Sequence, residues 1–403
     1  MRELNLEEYE PSEHVLSENQ RDALQRAPLS LTIEPVIGIE GTYRVTPGST
    51  VGAIEIGDLS VLIEPKIGIT QLLSVACYAM SKLKMRREQF DYPREYAQPD
   101  VLALALASAA NRAFSRGLLH GYVVEEEALH TVRGRIRFDE QIRRRSCISV
   151  PVEVRYDEFT EDILANRLVK AAVDRLGRMQ LRSRDARRKL GRIAGMLDDV
   201  SLVEFPPKAV PEVRFDRLNE HYREVVALSR LVLRHSAYEA SRGEVRAAGF
   251  LMDMNVVFQE CVTQALREAL RVSDNVFLEK HIGSLDEEDG ISLKPDLTWW
   301  DGRSCLFVGD AKYKKLTGEG VPNSDLYQLL AYVTALDLPG GLLIYARGEA
   351  EAGTYRVRHS GKRLDVAALD LSARLDEVLA RVREVAVRVK ALRDAAIALR
   401  AVA

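Results

Sequence analysis

The chain has 403 residues, too many for one ordinary domain, so two or three compact units are expected. Apolar residues make up 46% and charged residues 29%, with the signs well mixed, which excludes a disordered tail or a low-complexity tract. A formal net charge of -3 excludes a protein that wraps bare nucleic acid by electrostatics alone; any DNA contact has to come from local patches or from a partner.

Met1 to Glu10 is acidic rather than a basic leader, and no apolar run reaches the roughly 18 to 20 residues that span a bilayer. The cytoplasm is therefore the expected location, with no membrane partner. From Leu29 to Pro65, short β-branched runs punctuated by Gly38, Gly41, Gly48, Gly52 and Gly57 predict a small β-barrel or open sheet. Helices are predicted over Thr70 to Lys84 and Asp100 to Leu118, then strands over Leu129 to Phe138 and Ile148 to Tyr156. Two more helices follow, Asp157 to Leu176 and Ser183 to Leu197. The second carries Arg184, Arg187, Arg188, Lys189 and Arg192, which fit either a phosphate contact or a solvated face whose stems cover the core. Val203 to Pro211, with three prolines, cannot continue a helix and reads as a linker, and a long helix is predicted from Phe215 to Ala240.

Beyond Gly249 the order becomes helix, strand, strand, helix, strand. Asp253 to Leu270 is amphipathic, Ile291 to Trp300 and Ser304 to Tyr313 flank a hairpin turn at Asp301-Gly302, Asn323 to Leu336 is a helix, and Gly341 to Ala346 is a core strand. Cys77, Cys147, Cys261 and Cys305 form no CxxC pair and read as buried thiols. The histidines show no HExxH spacing. Absence of a GxxxxGK[ST] loop implies that the chain binds no nucleoside triphosphate itself.

The residues that carry chemistry lie on the hairpin: Pro295-Asp296 on its first strand and Asp310-Ala311-Lys312 on its second. Asp310 and Lys312 are two apart and share a face. A two-residue turn at Asp301-Gly302 puts Asp296 on the other face. A three-residue turn including Arg303, or a bulge at Pro295, brings it to the same face, diagonal to Asp310. Two carboxylates are the hard oxygen ligands Mg2+ prefers, and a lysine beside them can orient an attacking water and stabilise charge on a phosphate. The Asp-x-Lys triplet alone does not separate such a site from the start of a charged loop. Context does: a PD strand, a DxK strand and a helix bearing Gln328 and Tyr332 at i and i+4 follow the order of PD-(D/E)xK nucleases of the RecB-like kind.

More broadly, the chain resembles the McrC family, the nuclease subunits of modification-dependent, 5-methylcytosine-specific restriction systems. The likeness rests on Leu59 to Gly68 (LSVLIEPKIG), Arg133-Gly134-Arg135-Ile136, Tyr156 to Asn166 (YDEFTEDILAN), Gly249 to Val262 (GFLMDMNVVFQECV) and the nuclease core. It implies Asp296, Asp310 and Lys312 as the catalytic set, with Asp296 and Asp310 holding Mg2+. It also implies an AAA+ GTPase of the McrB type as partner, stimulated by the amino-terminal half, and modified double-stranded DNA as substrate. Where the family has a glutamate after the aromatic residue of the first nuclease helix, this chain has Gln259, with Glu260 one place on. Adjacent helix positions differ by about 100°, so Glu260 is carried as an accessory residue with Gln328 and Tyr332. The expected fold is α/β, α+β overall: residues 1–202 a partner-binding region (β-rich over 29–66, helical and mixed over 70–202), 203–248 a linker and bridging helix, and 249–403 a PD-(D/E)xK domain with a carboxyl-terminal helix. An autonomous nuclease and a motor-activating scaffold without enzymatic activity are the alternatives.

Overall fold

The computed structural model describes residues 2–81, 98–145, 150–237, 247–280, 282–316, 320–348 and 353–402. The fold is mixed α/β. Its chain divides into two compact units, Met1–Asp91 with Ala237–Ala403, and Tyr92–Ser236.

In the first unit the glycine-punctuated region forms two sheets rather than one. Ser12–Val15, Thr42–Pro47 and Leu31–Pro35 make a small antiparallel sheet. In the other, Arg2–Glu7, Leu59–Glu64, Thr50–Ile56 and Ala247–Asp253 lie side by side in that order. The strand Arg2–Glu7 buries only Leu4 and Leu6 and exposes the residues between them, the alternation of a half-buried strand. Ala247–Asp253 pairs antiparallel with Thr50–Ile56, Phe250 facing Ala53. That ladder joins segments far apart in sequence, so the first unit is discontinuous and the contacts do not follow the linear division at 202 and 249. The proline-containing segment Val203–Pro211 falls within the second unit.

The second unit packs the helices Gln98–Ala113, Leu164–Gly177, Arg184–Met196 and Arg223–His235 with a three-stranded sheet of Gly121–Leu129, Val152–Thr160 and Arg135–Ile136. Its first long strand ends where Leu129 to Phe138 was expected to begin one, and Val152–Thr160 runs through residues expected to be helical. Pairing wins over helix propensity there, with Tyr156 facing Glu125 and Phe159 facing Tyr122 across the ladder. On the basic helix, Ala186, Leu190 and Ile193 are buried, while Arg188 and Lys189 pair with Asp185, which suits the solvated-face reading. Cys77, Cys261 and Cys305 are buried, as expected; Cys147 lies outside the described residues.

The sheet that matters for the site has six strands in the order Phe277–Leu278, Leu297–Asp301, Ser304–Leu316, Gly340–Gly348, Arg363–Ala368, Thr354–Arg356. Ser304–Leu316 pairs antiparallel with Leu297–Asp301 and parallel with Gly340–Gly348. A parallel neighbour requires a crossover, and the helix Asn323–Ala335 makes it. This helix sits close because of Gly341: a Cβ there would lie 2.8 Å from both Leu329 and Val333. Leu329, Val333, Val308, Leu343 and Tyr345 form one buried cluster beneath it. Tyr313 of the same central strand packs instead against Phe258 of the helix Met254–Leu270, ring centroids 6.2 Å apart. The final helix, Leu375–Val402, buries Val378, Val382, Val385, Val389, Leu392 and Ala396 along one stripe.

Candidate active site

The hairpin solves the facing problem by a bulge, at a different place from the one expected. Asp301 pairs with Ser304 across a two-residue turn, Gly302-Arg303, whose glycine adopts φ +57°. Trp300 then pairs with Cys305 but Trp299 with Phe307, which leaves Leu306 as the extra residue. Every pair beyond it is shifted by one. Leu297 therefore faces Gly309, and continuing the ladder by one step sets Asp296 across from Asp310.

The two carboxylates interlock through the backbone. Ala311 N–H donates to Asp296 Oδ2 at 3.0 Å, and Asp296 N–H donates to Asp310 Oδ1 at 3.4 Å. Asp310 is 2% exposed, and its Oδ2 is buried without a hydrogen bond. Lys312 Nζ lies 2.5 Å from that oxygen, an ion pair whose orientation is not that of a hydrogen bond. Burial pushes both carboxyls above the usual carboxylate range, Asp296 to about 7. The Asp310 charge adds to the rise at Asp296, and Lys312 opposes the rise at both. An acidic pair that resists ionisation, with a buried oxygen that takes no hydrogen bond, can offer oxygen ligands to a hard divalent cation.

Lys312 is held from the other side by the crossover helix. Its Nζ donates to Gln328 Oε1 at 2.7 Å, Gln328 Nε2 donates to the Tyr332 hydroxyl at 3.0 Å, and that hydroxyl donates to the Lys294 carbonyl at 3.4 Å. One turn of spacing between Gln328 and Tyr332 carries the chain of contacts from the lysine back to the segment that bears Asp296, just before the strand Leu297–Asp301, which begins later than the expected Ile291. Asp296, Asp310, Lys312, Gln328 and Tyr332 are thus brought together.

The family profile described as "McrBC 5-methylcytosine restriction system component" matches residues 45–346. The chain belongs to that family. Among curated proteins, the "Type IV methyl-directed restriction enzyme EcoKMcrBC" of Escherichia coli (strain K12) is 23% identical over 266 residues, 61% of this chain and 76% of the relative. Among solved structures, a chain of the Thermococcus gammatolerans assembly of McrB AAA+ hexamers with bound McrC aligns with a TM-score of 0.57 at 18% identity, covering 95% of this chain and 99% of that one. That likeness is one of fold.

In this McrBC-family chain the accessory residue Glu260 lies on a different helix from Gln328 and Tyr332. Among the described residues no three His, Cys, Asp or Glu side chains gather as a metal-holding group. Glu260 belongs to Met254–Leu270, the helix packed on the Tyr313 face of the central strand, whereas Lys312 engages the crossover helix. After Asp310, the acid that raises Asp296 further is Glu279, which is ion-paired with Lys294 at 2.5 Å. Two buried acids that bond to side chains of the central strand were missed from sequence. Asp325 accepts from Lys314 Nζ at 2.9 Å on both oxygens and from the Tyr345 hydroxyl at 2.7 Å. Glu8 accepts from the Tyr313 hydroxyl and the Lys66 N–H. Asp325 could have been noticed one turn before Gln328 on the same helix face; Glu8 carries no local signal.

Proposed function

We propose that this chain is the Mg2+-dependent endonuclease component of a modification-dependent restriction system, hydrolysing phosphodiester bonds of modified double-stranded DNA. On this reading it acts with an AAA+ GTPase partner of the McrB type and stimulates that partner's GTP hydrolysis. The observation that carries the reading is the buried, hydrogen-bond-free Asp310 Oδ2 set beside Asp296 and Lys312. Membership of the McrBC family and the likeness to an assembly of McrB hexamers with McrC support the system and the partner. No helix among the described residues is long and apolar enough to cross a membrane.

Asp296 and Asp310 would hold the cation, each with one oxygen already fixed by a backbone N–H. When bound, Mg2+ supplies Lewis-acid activation of water and neutralises charge on the scissile phosphate. Lys312, tethered to Gln328, keeps its ammonium at the edge of the pair, where it can orient the attacking water and stabilise the negative charge that builds on the phosphate. Gln328, itself held by the Tyr332 hydroxyl, orients the lysine.

The test is cleavage of methylated and unmethylated DNA by the full chain with its GTPase, GTP and Mg2+. Cutting that requires Mg2+ and is lost in Asp310→Ala is expected. Cleavage by Asp310→Ala at the wild-type rate overturns the nuclease reading.

A further inference from the structure

The crossover helix does more than hold Lys312. Asp325, Gln328 and Tyr332 lie at i, i+3 and i+7 on one face of it, and each meets a different point of the hairpin or of the segment leading into it: Lys314, Lys312 and the Lys294 carbonyl. Lys314 is thus built into the same framework as Lys312, two residues on and ~7 Å along the strand. The ladder to Gly340–Gly348 shifts register between Lys312 and Lys315, a bulge that contains Lys314. Bulges beside active sites re-aim side chains.

The Lys314–Asp325 contact is not an ordinary surface pair. Asp325 is 5% exposed and also accepts from the Tyr345 hydroxyl. Burial works against its charge, but the hydrogen bonds from Lys314 and Tyr345 outweigh this and hold its carboxyl below the usual range. Lys314, by contrast, keeps 48% of its side-chain surface exposed, against 20% for Lys312. An ammonium has three N–H donors, and the two contacts at 2.9 Å engage the side of Nζ that faces the helix. What remains is a cation fixed by a buried acceptor and open to solvent beside the acidic pair. A flexible lysine would have to be ordered on binding; this one is ordered beforehand.

We propose that Lys314 is a phosphate-contacting residue, gripping the DNA backbone next to the phosphate handled by Asp296, Asp310 and Lys312, with Asp325 as its positioning residue. The inference rests on the nuclease reading and deepens it by assigning the site a second backbone contact. Its rival is a lysine that only neutralises Asp325, and the two differ in what salt does.

The experiment measures binding of a short fluorescent DNA duplex to the full chain at low salt without divalent metal, and repeats it across a salt series. Lys314→Met is expected to weaken binding several-fold and to lower the slope of log affinity against log salt by about 0.9, the signature of one lost phosphate contact. Lys314→Arg and Asp325→Asn, which keep a cation there, are expected to retain the wild-type slope. The double variant Lys314→Met/Asp325→Asn leaves no uncompensated buried charge and is expected to show the same loss as Lys314→Met, which covers the case where that single variant does not fold. Wild-type affinity and slope in the folded double variant overturn the proposal. Failure of the nuclease reading would appear elsewhere, as absence of cleavage by the wild-type chain with its partner, because the binding measurement needs no cutting.

Discussion

Tyr313 donates its hydroxyl to Glu8 Oε2 at 3.1 Å, across 305 positions of sequence. This ties the end of the amino-terminal strand to the strand that carries Asp310 and Lys312. Glu8 is fully buried, its Oε1 has no hydrogen bond, and burial pushes its carboxyl up to about 7 against the pull of the Lys66 N–H and the Tyr313 hydroxyl. Tyr313→Phe removes one donor from that acid and is expected to destabilise the protein by ~1–3 kcal/mol. The loss should be larger at pH 8, where Glu8 is ionised, than at pH 5, where it is protonated. Urea unfolding at the two pH values checks this, and an equal loss at both counts against an electrostatic origin.

Removing repulsion at the acidic pair should have opposite effects on stability and activity. Asp296→Asn or Asp310→Asn takes one charge from two buried carboxyls that each resist ionisation. In metal-free buffer near pH 8 the melting temperature is expected to rise, while Mg2+-dependent cleavage falls by at least ~10²-fold because a cation ligand is gone. A variant less stable than wild type under these conditions would show that the pair is held by its hydrogen bonds more strongly than it is strained by charge.

The same shift fixes a pH dependence. The folded-state value of Asp296 is raised to about 7, so the folded protein holds this proton more tightly than the unfolded chain. Its contribution to stability is therefore full below the ordinary carboxylate range and is lost as pH climbs through about 7. Metal-free stability is expected to fall over that window, and added Mg2+, which competes with the proton, should restore it progressively more as pH rises. Glu8 titrates in the same range, so the comparison is with Asp296→Asn, in which the Mg2+-dependent part should vanish. A Mg2+ effect that is independent of pH in the wild type would rule out competition at this carboxyl.

How much of this was legible in sequence depended on how local the signal was. Asp310, Lys312, Gln328 and Tyr332 sit at fixed spacings on one strand and one helix, and periodicity sufficed to place them on common faces. The hairpin was legible too, but the place of its bulge was not. Leu306 is one apolar residue among Cys305, Phe307 and Val308, and nothing in that run marks which residue is left unpaired. The discontinuous first unit was invisible for a related reason: Ala247–Asp253 is a glycine-containing strand whose partner lies in the amino-terminal region, and pairing over that distance leaves no local pattern.

Delivery to DNA is the remaining requirement, and charge argues that the chain does not meet it alone. Its 57 Lys and Arg are outnumbered by 60 Asp and Glu. Clusters that look basic in sequence are locally compensated: Arg143 and Arg144 pair with Glu140, and Arg188 and Lys189 with Asp185. Between the first nuclease helix and the hairpin, Asp286 to Asp289 (DEED) adds acidic charge, and Lys294 is engaged by Glu279. Lys312 and Lys314 supply a contact or two, too few to hold a duplex at physiological salt, where each phosphate contact is weakened by counterions. A partner that encircles or tracks DNA would supply high effective concentration instead, a gain of ~10²–10⁴ without any new contact at the nuclease site. Cleavage at near-physiological salt is therefore expected to rise by at least ~10²-fold when the AAA+ GTPase and GTP are added, and to be weak with the chain alone. The check is an assay on methylated and unmethylated duplexes with and without the partner. Efficient cutting by the isolated chain at that salt would mean that it binds DNA by itself, and would favour an autonomous nuclease over a motor-delivered one.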